Sequence, residues 1–459
     1  MCLKYQTQSV AKPYFIASII LFAVQISFGL ILGLQYVIGD FLFPELPFNI
    51  IRMAHTNTMI FGLLFGFMGA AYYIVPEEAE TELLAPWLAW LIFGLFTITV
   101  IVTIASYLAI PYSQLVELTK DKLFPTMGRE YMEQPTIVKL AISVLNLLFI
   151  INIWGTTLKG KKTGINSLII LGLFTSALLF LFSLYNPTNL VLNKFYWWWM
   201  AHFWFEAVWL LIISAMLAFV LIRITGINRD IVEKWLYIIA TMIFVTGFIS
   251  IGHHYYWIGA PKYWQWWGSA FSLMQPIPLF LIALFVFTMV RKRQIEHPNK
   301  AALLWVTGTA VIAFLGAGLW GLIHTLAPIN YFTHGTQIEV AYTHIAIYGA
   351  YAMTIFMMIS YAMPTLRNRK ANNERAQVVE MWSFWLLTLS MVFATIFLTI
   401  AGVLQVYMQR YTDVPQPFMV VQERIAFFYW LREFVGVIFL IGFIVYVASF
   451  FVKQHRRLD

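Results

Sequence analysis

Long apolar stretches separated by short polar connections make up almost the whole chain. About 20 apolar residues in a helix span the roughly 30 Å hydrocarbon core of a bilayer, and twelve stretches reach that length. They run over residues 13–39, 51–76, 84–110, 136–156, 165–185, 195–224, 231–257, 265–290, 302–325, 337–363, 380–406 and 422–452. The pattern predicts an all-α protein: a single domain over residues 1–459, built as a bundle of twelve transmembrane helices.

The composition excludes a soluble globular protein. Hydrophobic residues make up 61% of the chain and charged residues 11%, against about 45–50% and about 25% in soluble domains. The surface is therefore expected to face a lipid bilayer, and the formal net charge of +8 indicates membrane orientation rather than nucleic-acid binding. A single cysteine, Cys2, excludes a disulfide framework and any cysteine-ligated zinc or iron–sulfur site. The first apolar stretch is too long for a cleaved signal peptide and is expected to remain as a helix.

Lysine and arginine residues cluster at alternate connections, and this bias predicts the orientation of the helices, because cytoplasmic connections carry the excess of basic residues. The clusters are Lys159, Lys161 and Lys162; Arg223 and Arg229; Arg291, Lys292 and Arg293; Arg367, Arg369 and Lys370; and Lys453, Arg456 and Arg457. They lie on the side that also holds the N-terminus. Both termini are therefore predicted to be cytoplasmic, with the connections 111–135 and 253–264 facing the periplasm of a bacterial inner membrane.

The stretch KFYWWWMAHFWFEAVW places two types of metal ligand inside a predicted membrane helix. His202 and Glu206 are four residues apart and therefore share one helix face, and both are costly in hydrocarbon unless they face the bundle interior. His253 and His254 complete a set of three imidazoles and one carboxylate that suits iron. Both adjacent histidines reach one centre only if their helix opens there. The alternative interpretation is a structural polar cluster that ties the two helices together.

Seven of the nine histidines lie in predicted helices or at their periplasmic ends. His55 and His344 lie on different helices, and two facing imidazoles can hold a haem iron from both sides, which suits electron transfer. The alternative is a histidine that is hydrogen-bonded to a neighbouring helix, as we expect for His324 and His334. The two histidines in predicted cytoplasmic segments are expected to have no functional role: His297 and His455.

Long stretches of the chain resemble the large catalytic subunit of the cytochrome c-dependent nitric oxide reductase, a branch of the haem–copper oxidase superfamily. They include GLQYVIGDFLFPELPFNIIRMAHTN, PTMGREYMEQPTI, NKFYWWWMAHFW, GHHYYWIGAPKYW, FLGAGLWGLIHTLAPIN, YFTHGTQ and FYWLRE, and the resemblance covers essentially the whole chain. It implies a bundle of the haem–copper oxidase subunit I type that holds a low-spin haem b, a high-spin haem b and a non-haem iron. It also implies a membrane-anchored cytochrome c subunit as the partner that supplies electrons.

The resemblance assigns roles to individual residues. It implies that His55 and His344 ligate the low-spin haem b. It places the non-haem iron on the residues that spacing already groups: His202, Glu206, His253 and His254. In the periplasmic connection it implies that Glu130 binds a calcium ion that bridges haem propionates, that Arg129 pairs with a propionate, and that Glu133 takes up protons. A cation beside buried propionates offsets the cost of burying their charge.

Three positions near the expected iron depart from the family pattern. Tyr342 stands where the family has the histidine that holds the high-spin haem, two residues before His344 and therefore on the opposite helix face. A phenolate can ligate haem iron and would lower its potential relative to imidazole; otherwise the second haem is absent or bound differently. Leu210 and Gln275 stand where the family has glutamates. The loss of these carboxylates is expected to raise the iron potential and to weaken proton delivery.

Three functions are compatible with these residues. The first is the reduction of nitric oxide to N2O at a haem b and non-haem iron centre, with Glu206, Gln275 and Tyr342 as candidate catalytic residues. The second is other chemistry on the same fold: O2 reduction, or disproportionation of NO at a tyrosine-ligated haem. The third is a non-catalytic haem subunit that carries electrons or assembles a complex. The ligand set of three histidines and one glutamate favours iron over copper.

Overall fold

The computed structural model describes residues 3–114, 129–368 and 373–453. Every regular element in these ranges is helical, and twelve helices are long and apolar enough to cross a membrane. They are α1 (Gln6–Val37), α2 (Phe48–Ala79), α3 (Pro86–Leu108), α4 (Thr136–Lys159), α5 (Gly164–Leu184), α6 (Leu190–Thr225), α7 (Arg229–Tyr255), α8 (Tyr263–Arg291), α9 (Lys300–Thr325), α10 (Gln337–Leu366), α11 (Glu374–Tyr411) and α12 (Phe418–Ser449). The prediction of an all-α bundle of twelve transmembrane helices is confirmed.

Some sequence predictions fall outside the described residues. They concern the single cysteine, part of the long periplasmic connection, four basic residues and one histidine: Cys2, residues 115–128, Arg369, Lys370, Arg456, Arg457 and His455. The remaining predicted ligands and catalytic residues all lie within the described ranges.

Most helix ends lie within four residues of the ends expected from the apolar pattern; the exceptions are the starts of α1, α6 and α11 and the end of α11. Polar residues extend two of these helices beyond their apolar cores. Asn189 caps α6 by accepting from the N–H of Leu192 at 3.0 Å, and Asn373 caps α11 by accepting from the N–H of Ala376 at 3.4 Å. A side-chain cap satisfies a donor of the first turn, so the helix begins before the hydrophobic stretch does.

Three helices, α2, α6 and α10, form the centre of the bundle. In each of them 89% of the most apolar segment is buried, whereas the share is 22% in α1 and 28% in α12. The outer helices leave large apolar side chains exposed, as a lipid-facing surface requires. The central helices carry most of the predicted ligands: His55 on α2, His202 and Glu206 on α6, and His344 on α10.

Partly buried ion pairs hold α2, α6 and α7 together at the ends opposite the histidines of α6 and α7. Arg229 at the start of α7 makes two hydrogen bonds to the carboxylate of Glu78, one of them 2.8 Å long. Arg223 near the end of α6 pairs with Glu77 at 2.8 Å. Two-bond arginine–carboxylate pairs fix orientation as well as distance, so this network sets how the helices that carry the site are aligned.

Candidate metal centre

Four predicted ligands converge on one point in the structure. The ligand atoms of His202, Glu206, His253 and His254 all lie within 4.8 Å of one another. Oε1 of Glu206 lies 3.4 Å from Nδ1 of His202, 3.6 Å from Nε2 of His253 and 3.3 Å from Nε2 of His254. One carboxylate oxygen therefore faces a nitrogen of each of three imidazoles. This set is called the iron cluster below.

Irregular helix geometry brings these side chains together. The segment Trp204–Val208 of α6 is a π-helix and contains Glu206. The last turn of α7, Ser250–Tyr255, is a 3₁₀-helix and contains both adjacent histidines. Such turns change the angle between neighbouring side chains, and π-turns often occur at functional sites. The helix was expected to open at His253 and His254; the structure has a 3₁₀-turn there, which is tighter than an α-turn. The π-turn in α6 was not anticipated.

Two glycines let the end of α7 pack directly on α8. A Cβ on Gly252 would lie 2.7 Å from the backbone nitrogen of Gly268, and a Cβ on Gly268 would lie 2.5 Å from the backbone nitrogen of His253. Both distances are shorter than real Cβ contacts. A larger residue at either position would push apart the backbones that place His253.

Backbone and hydroxyl groups fix the orientation of the histidine rings. Nε2 of His202 lies 2.7 Å from the carbonyl oxygen of Gly247, so its buried Nδ1 is directed at the cluster, where it has no hydrogen-bond partner. Nδ1 of His253 lies 2.8 Å from the carbonyl oxygen of Ser250, which leaves Nε2 for the cluster. The ring of His254 stacks on Trp198 at 4.5 Å. Metal-binding histidines have this pattern, with one nitrogen held and the other directed inward.

The two positions that lack the family glutamates lie around Glu206. Gln275 donates a hydrogen bond from Nε2 to Oε2 of Glu206. Leu210, one turn beyond, is buried in the apolar core, and its carbonyl oxygen accepts from Oγ of Ser214 at 2.7 Å. An amide and an alkyl side chain therefore stand where the family has carboxylates.

The second predicted pair also meets in the structure. The rings of His55 and His344 face each other with centroids 6.3 Å apart and planes inclined by 29°. Nδ1 of His55 lies 2.9 Å from the carbonyl oxygen of Gln25, and Nδ1 of His344 lies 2.8 Å from that of Val340. Since each Nδ1 is held by a backbone carbonyl, each Nε2 is the nitrogen that could bind a metal. That of His55 lies 3.3 Å from Nε2 of Gln25.

Tyr342 lies on the side of α10 that faces α9, away from the histidine pair. A Cβ on Gly321 of α9 would lie 2.9 Å from its ring, so the glycine makes room for the tyrosine. The rings of Tyr342 and His324 lie 5.8 Å apart. Residues two apart on α10 therefore reach opposite sides of the helix, as the spacing predicted.

Arg129 and Glu130 lie side by side but have different partners. Nε of Arg129 donates to Oδ1 of Asn193 at 2.8 Å and Nη1 donates to the carbonyl oxygen of Tyr185 at 3.1 Å, while its buried Nη2 has no hydrogen-bond partner. Burial lowers the pKa of Arg129 to about 10, so the side chain stays charged at neutral pH. The carboxylate of Glu130 pairs with Arg52 of α2.

Glu133 is fully buried beside α2. Its Oε2 accepts a hydrogen bond from Nδ2 of Asn57 at 3.0 Å, while Oε1 has no partner. Burial raises the pKa of Glu133 to about 7, against the lowering by Asn57. The carboxyl can therefore gain and release a proton near neutral pH, as a residue that takes up protons must; that role stays a prediction.

His324 and His334 lie around Glu339 near the start of α10. Nδ1 of His324 lies 3.0 Å from Oγ1 of Thr333, and its Nε2 lies 4.0 Å from Oε1 of Glu339. Nδ1 of His334 lies 3.8 Å from Oε2 of the same carboxylate. His324 is therefore hydrogen-bonded to a neighbouring hydroxyl, and both imidazoles lie beside one carboxylate. His297 accepts from the N–H of Asn299 at 3.1 Å.

Residues that hold the ligands in place could not be found from the sequence. They are Gln25, Gly247, Ser250 and Ser272. Three of them act through a backbone carbonyl, which every residue type carries, so side-chain identity gives no signal. The hydroxyl of Ser272 is recognisable only when the end of α7 is known to contact α8.

The chain is similar over its length to membrane oxidases and reductases. A family model described as Cytochrome C and Quinol oxidase polypeptide I matches residues 9–438. A nitric oxide reductase subunit of Stutzerimonas stutzeri is 55% identical, over 99% of this chain and 96% of the relative. A cytochrome c oxidase subunit 1 homolog of Agrobacterium tumefaciens (strain T37) is 24% identical, over 94% of this chain and 80% of the relative. The solved structure of a heme-copper terminal oxidase dimer matches 99% of this chain and 85% of that chain with a TM-score of 0.73 at 15% identity, which confirms the predicted fold type.

Proposed function

Because the chain belongs to the cytochrome c and quinol oxidase polypeptide I family, and within it to the nitric oxide reductases, we propose that it is a membrane oxidoreductase that reduces nitric oxide. Two NO molecules, two electrons and two protons give one N2O and one water. The observation that carries the proposal is the iron cluster, whose three imidazoles and one carboxylate suit iron.

The iron cluster fits a bound cation. Nδ1 of His202 is buried without a hydrogen-bond partner, and buried polar atoms without partners are costly. A metal shared by the histidines and Glu206 removes that cost. An iron bound here would supply redox chemistry for the reduction of nitric oxide. The side chains supply its position, and holding reactants in place accounts for much of the rate enhancement of such reactions.

The histidine pair fits a low-spin haem b. The Nε2 atoms of His55 and His344 are the ring nitrogens that no backbone carbonyl holds, and the ring centroids lie 6.3 Å apart. Tyr342, on the opposite face of α10, is the proposed ligand of a high-spin haem b. The buried Nη2 atom of Arg129 lacks a hydrogen-bond partner, which suits an anionic propionate, since guanidinium groups form strong charge-assisted bonds with carboxylates.

Electrons are proposed to come from a membrane-anchored cytochrome c subunit on the periplasmic side, in a bacterial inner membrane with both termini of this chain in the cytoplasm. Glu130 is proposed to ligate a calcium ion, for which its carboxylate is a suitable donor, with Arg52 as its present partner. Glu133 is proposed to take up protons, which is supported by its raised pKa of about 7.

The side chains around the iron cluster favour a second candidate function. Tyr342, Leu210 and Gln275 replace three groups of the family, and all three replacements lie near the expected iron. The loss of two carboxylates and the gain of a phenolate ligand would change the negative charge around the iron atoms. That charge determines which oxidation state of each iron is favoured. The second candidate function is therefore related chemistry on the same fold, either O2 reduction or NO disproportionation. The third candidate is a haem subunit without catalytic activity.

Product analysis of the purified complex distinguishes these functions. The complex, reduced and free of O2, is supplied with NO while NO loss and N2O formation are followed, together with reduced-plus-CO spectra. We expect one N2O for every two NO and a CO-reactive haem. Formation of N2 and O2 from NO without an electron donor would instead identify disproportionation. In a separate assay with O2 in place of NO, O2 consumption by a complex that does not turn over NO would identify an oxidase. No turnover and no CO-reactive haem would identify a non-catalytic subunit.

A further inference from the structure

α8 is interrupted next to the iron cluster. Its helical segments run over Tyr263–Ser272 and Pro276–Arg291. Pro276 has no N–H to donate into the preceding turn, and residues 273–275 between the segments form turns. Ser272, at the end of the first segment, and Gln275, within this break, both contact the iron cluster.

Gln275 contacts the oxygen of Glu206 that does not face the histidines. Its Nε2 donates to Oε2 of Glu206 and also lies 3.4 Å from Oγ of Ser250. The other oxygen, Oε1, lies between 3.3 and 3.6 Å from ring nitrogens of the three histidines. The two oxygens of Glu206 therefore have separate partners.

Ser272 holds a second ligand from the same turn. Its Oγ lies 3.1 Å from Nδ1 of His253, and the carbonyl oxygen of Ser250 lies 2.8 Å from the same nitrogen. Ser272 and Gln275 are three residues apart. One turn of α8 thus orients a carboxylate ligand of α6 and an imidazole ligand of α7.

We propose that Gln275 is a positioning residue that fixes Glu206 as a one-oxygen ligand of the metal. The proposal rests on the proposed function, in that the iron cluster binds a metal. A carboxylate can bind a metal through one oxygen or through two, and a donor held on Oε2 leaves Oε1 for the metal. Four ligand atoms then leave further positions of an iron open for substrate.

An amide performs this task without adding charge. Gln275 donates its hydrogen bond as a neutral group, whereas a carboxyl group at this position donates only while it carries a proton. Leu210, one turn beyond Glu206, adds no charge either. Gln275 therefore contributes the geometry of the metal site and leaves proton delivery to other residues.

The test compares how firmly variants hold the non-haem iron. The full complex with its partner subunit is purified as wild type, Gln275→Met and Gln275→Asn, and iron retention is measured against increasing concentrations of a ferrous chelator. Methionine keeps the side-chain length and removes the donor; asparagine keeps the amide and withdraws it from Glu206. Gln265→Met is the matched control, because Gln265 lies on the same helix and lines a groove beside Trp257 and Leu326.

We expect Gln275→Met to lose iron at chelator concentrations 10–100-fold lower than wild type, as for other groups that orient metal ligands. Gln275→Asn should lose iron at a chelator concentration between those of Gln275→Met and wild type. Gln265→Met should lose iron at the same concentration as wild type. The EPR signal of NO bound to the ferrous non-haem iron should change in Gln275→Met, since the carboxylate binds differently. Low-spin haem absorbance reports that each variant has folded.

Wild-type iron retention in both Gln275 variants would overturn the positioning role, because side-chain size alone would then suffice. A wild-type complex without non-haem iron would overturn the iron cluster itself, and with it the proposed function. A wild-type complex that holds iron but forms no N2O would overturn the proposed function alone, since iron retention is measured without turnover.

Discussion

The histidine pair and the iron cluster lie in one bundle but are built in different ways. His55 and His344 project from α-helical stretches of α2 and α10, and a backbone carbonyl holds each ring. The iron cluster needs a π-turn in α6, a 3₁₀-turn in α7 and an interruption in α8. It also contains a carboxylate, whereas the pair consists of two imidazoles.

The difference follows from what each arrangement must do. Two imidazoles on facing helices meet when the helices pack at the right distance, so regular geometry is sufficient. Four ligands that include two adjacent histidines cannot converge from regular helices, because neighbouring side chains diverge by about 100° around an α-helix. Departures from the family pattern occur at the cluster side of α10 and around Glu206. The histidine pair therefore keeps the residues that the resemblance predicts, and the departures from the family pattern lie outside it.

Removal of a cluster ligand should have the largest effect. We expect His202→Ala to lose the non-haem iron and to lower NO reduction at least about 100-fold, since even groups that only orient a ligand are worth 10–100-fold. The low-spin haem spectrum should be unchanged. Metal analysis measures the non-haem iron, and absorbance measures the low-spin haem. His297→Ala is the control, and retention of iron by His202→Ala would show that the cluster is structural.

Removal of a ligand of the pair should give the reverse pattern. We expect His344→Ala to lose the low-spin haem spectrum and keep the non-haem iron, with turnover reduced because electrons no longer reach the cluster. Haem and iron contents of the same preparation provide the measurement. Joint loss of both cofactors in either variant would contradict the separation of the two regions.

Tyr342 tests the face of α10 opposite the pair. If its phenolate ligates the high-spin haem, Tyr342→Phe should lose the CO-reactive haem and Tyr342→His should restore it at a higher potential, because imidazole replaces an anionic ligand. Reduced-plus-CO spectra and redox titration measure these changes. An unchanged CO spectrum in Tyr342→Phe would mean that another group holds this haem.

A restored carboxylate should have a smaller effect on the cluster. Leu210→Glu places a negative charge one turn from Glu206 in a buried region, which favours the higher oxidation state of the iron. We expect the midpoint potential to fall by on the order of 60 mV, a tenfold shift in a one-electron equilibrium. Leu210→Gln is the neutral control. An equal shift in both variants would assign the effect to packing rather than charge.

The smallest effect concerns pH and Glu133. Its pKa is raised by burial to about 7 in the folded protein, so between the ordinary carboxyl range and pH 7 the folded state holds a proton that the unfolded state has released. Stability therefore falls as pH rises through that window. Glu133→Gln should remove this slope in thermal unfolding measured from pH 4.5 to 8. A slope that persists in the variant would assign the pH dependence to other groups.

Most of the fold, and the convergence of the four residues of the iron cluster, could be predicted from the sequence. Twelve apolar stretches determine the helices, and the spacing of His202 and Glu206 places them on one face. The sequence could not show that Gln275 contacts Glu206, because 69 residues separate them and an amide has no fixed partner. The contacts of the carbonyl groups of Gln25 and Gly247 could not be predicted either, because every residue carries a backbone carbonyl.

The ratio of non-haem iron to haem in the purified complex tests the central claim most directly. The proposed centre requires two haems b and one non-haem iron for each copy of this chain, apart from the haem of the partner subunit. His202→Ala should keep the low-spin haem and lose the non-haem iron. A wild-type complex with haem and without non-haem iron would contradict the assignment of His202, Glu206, His253 and His254 as a metal centre.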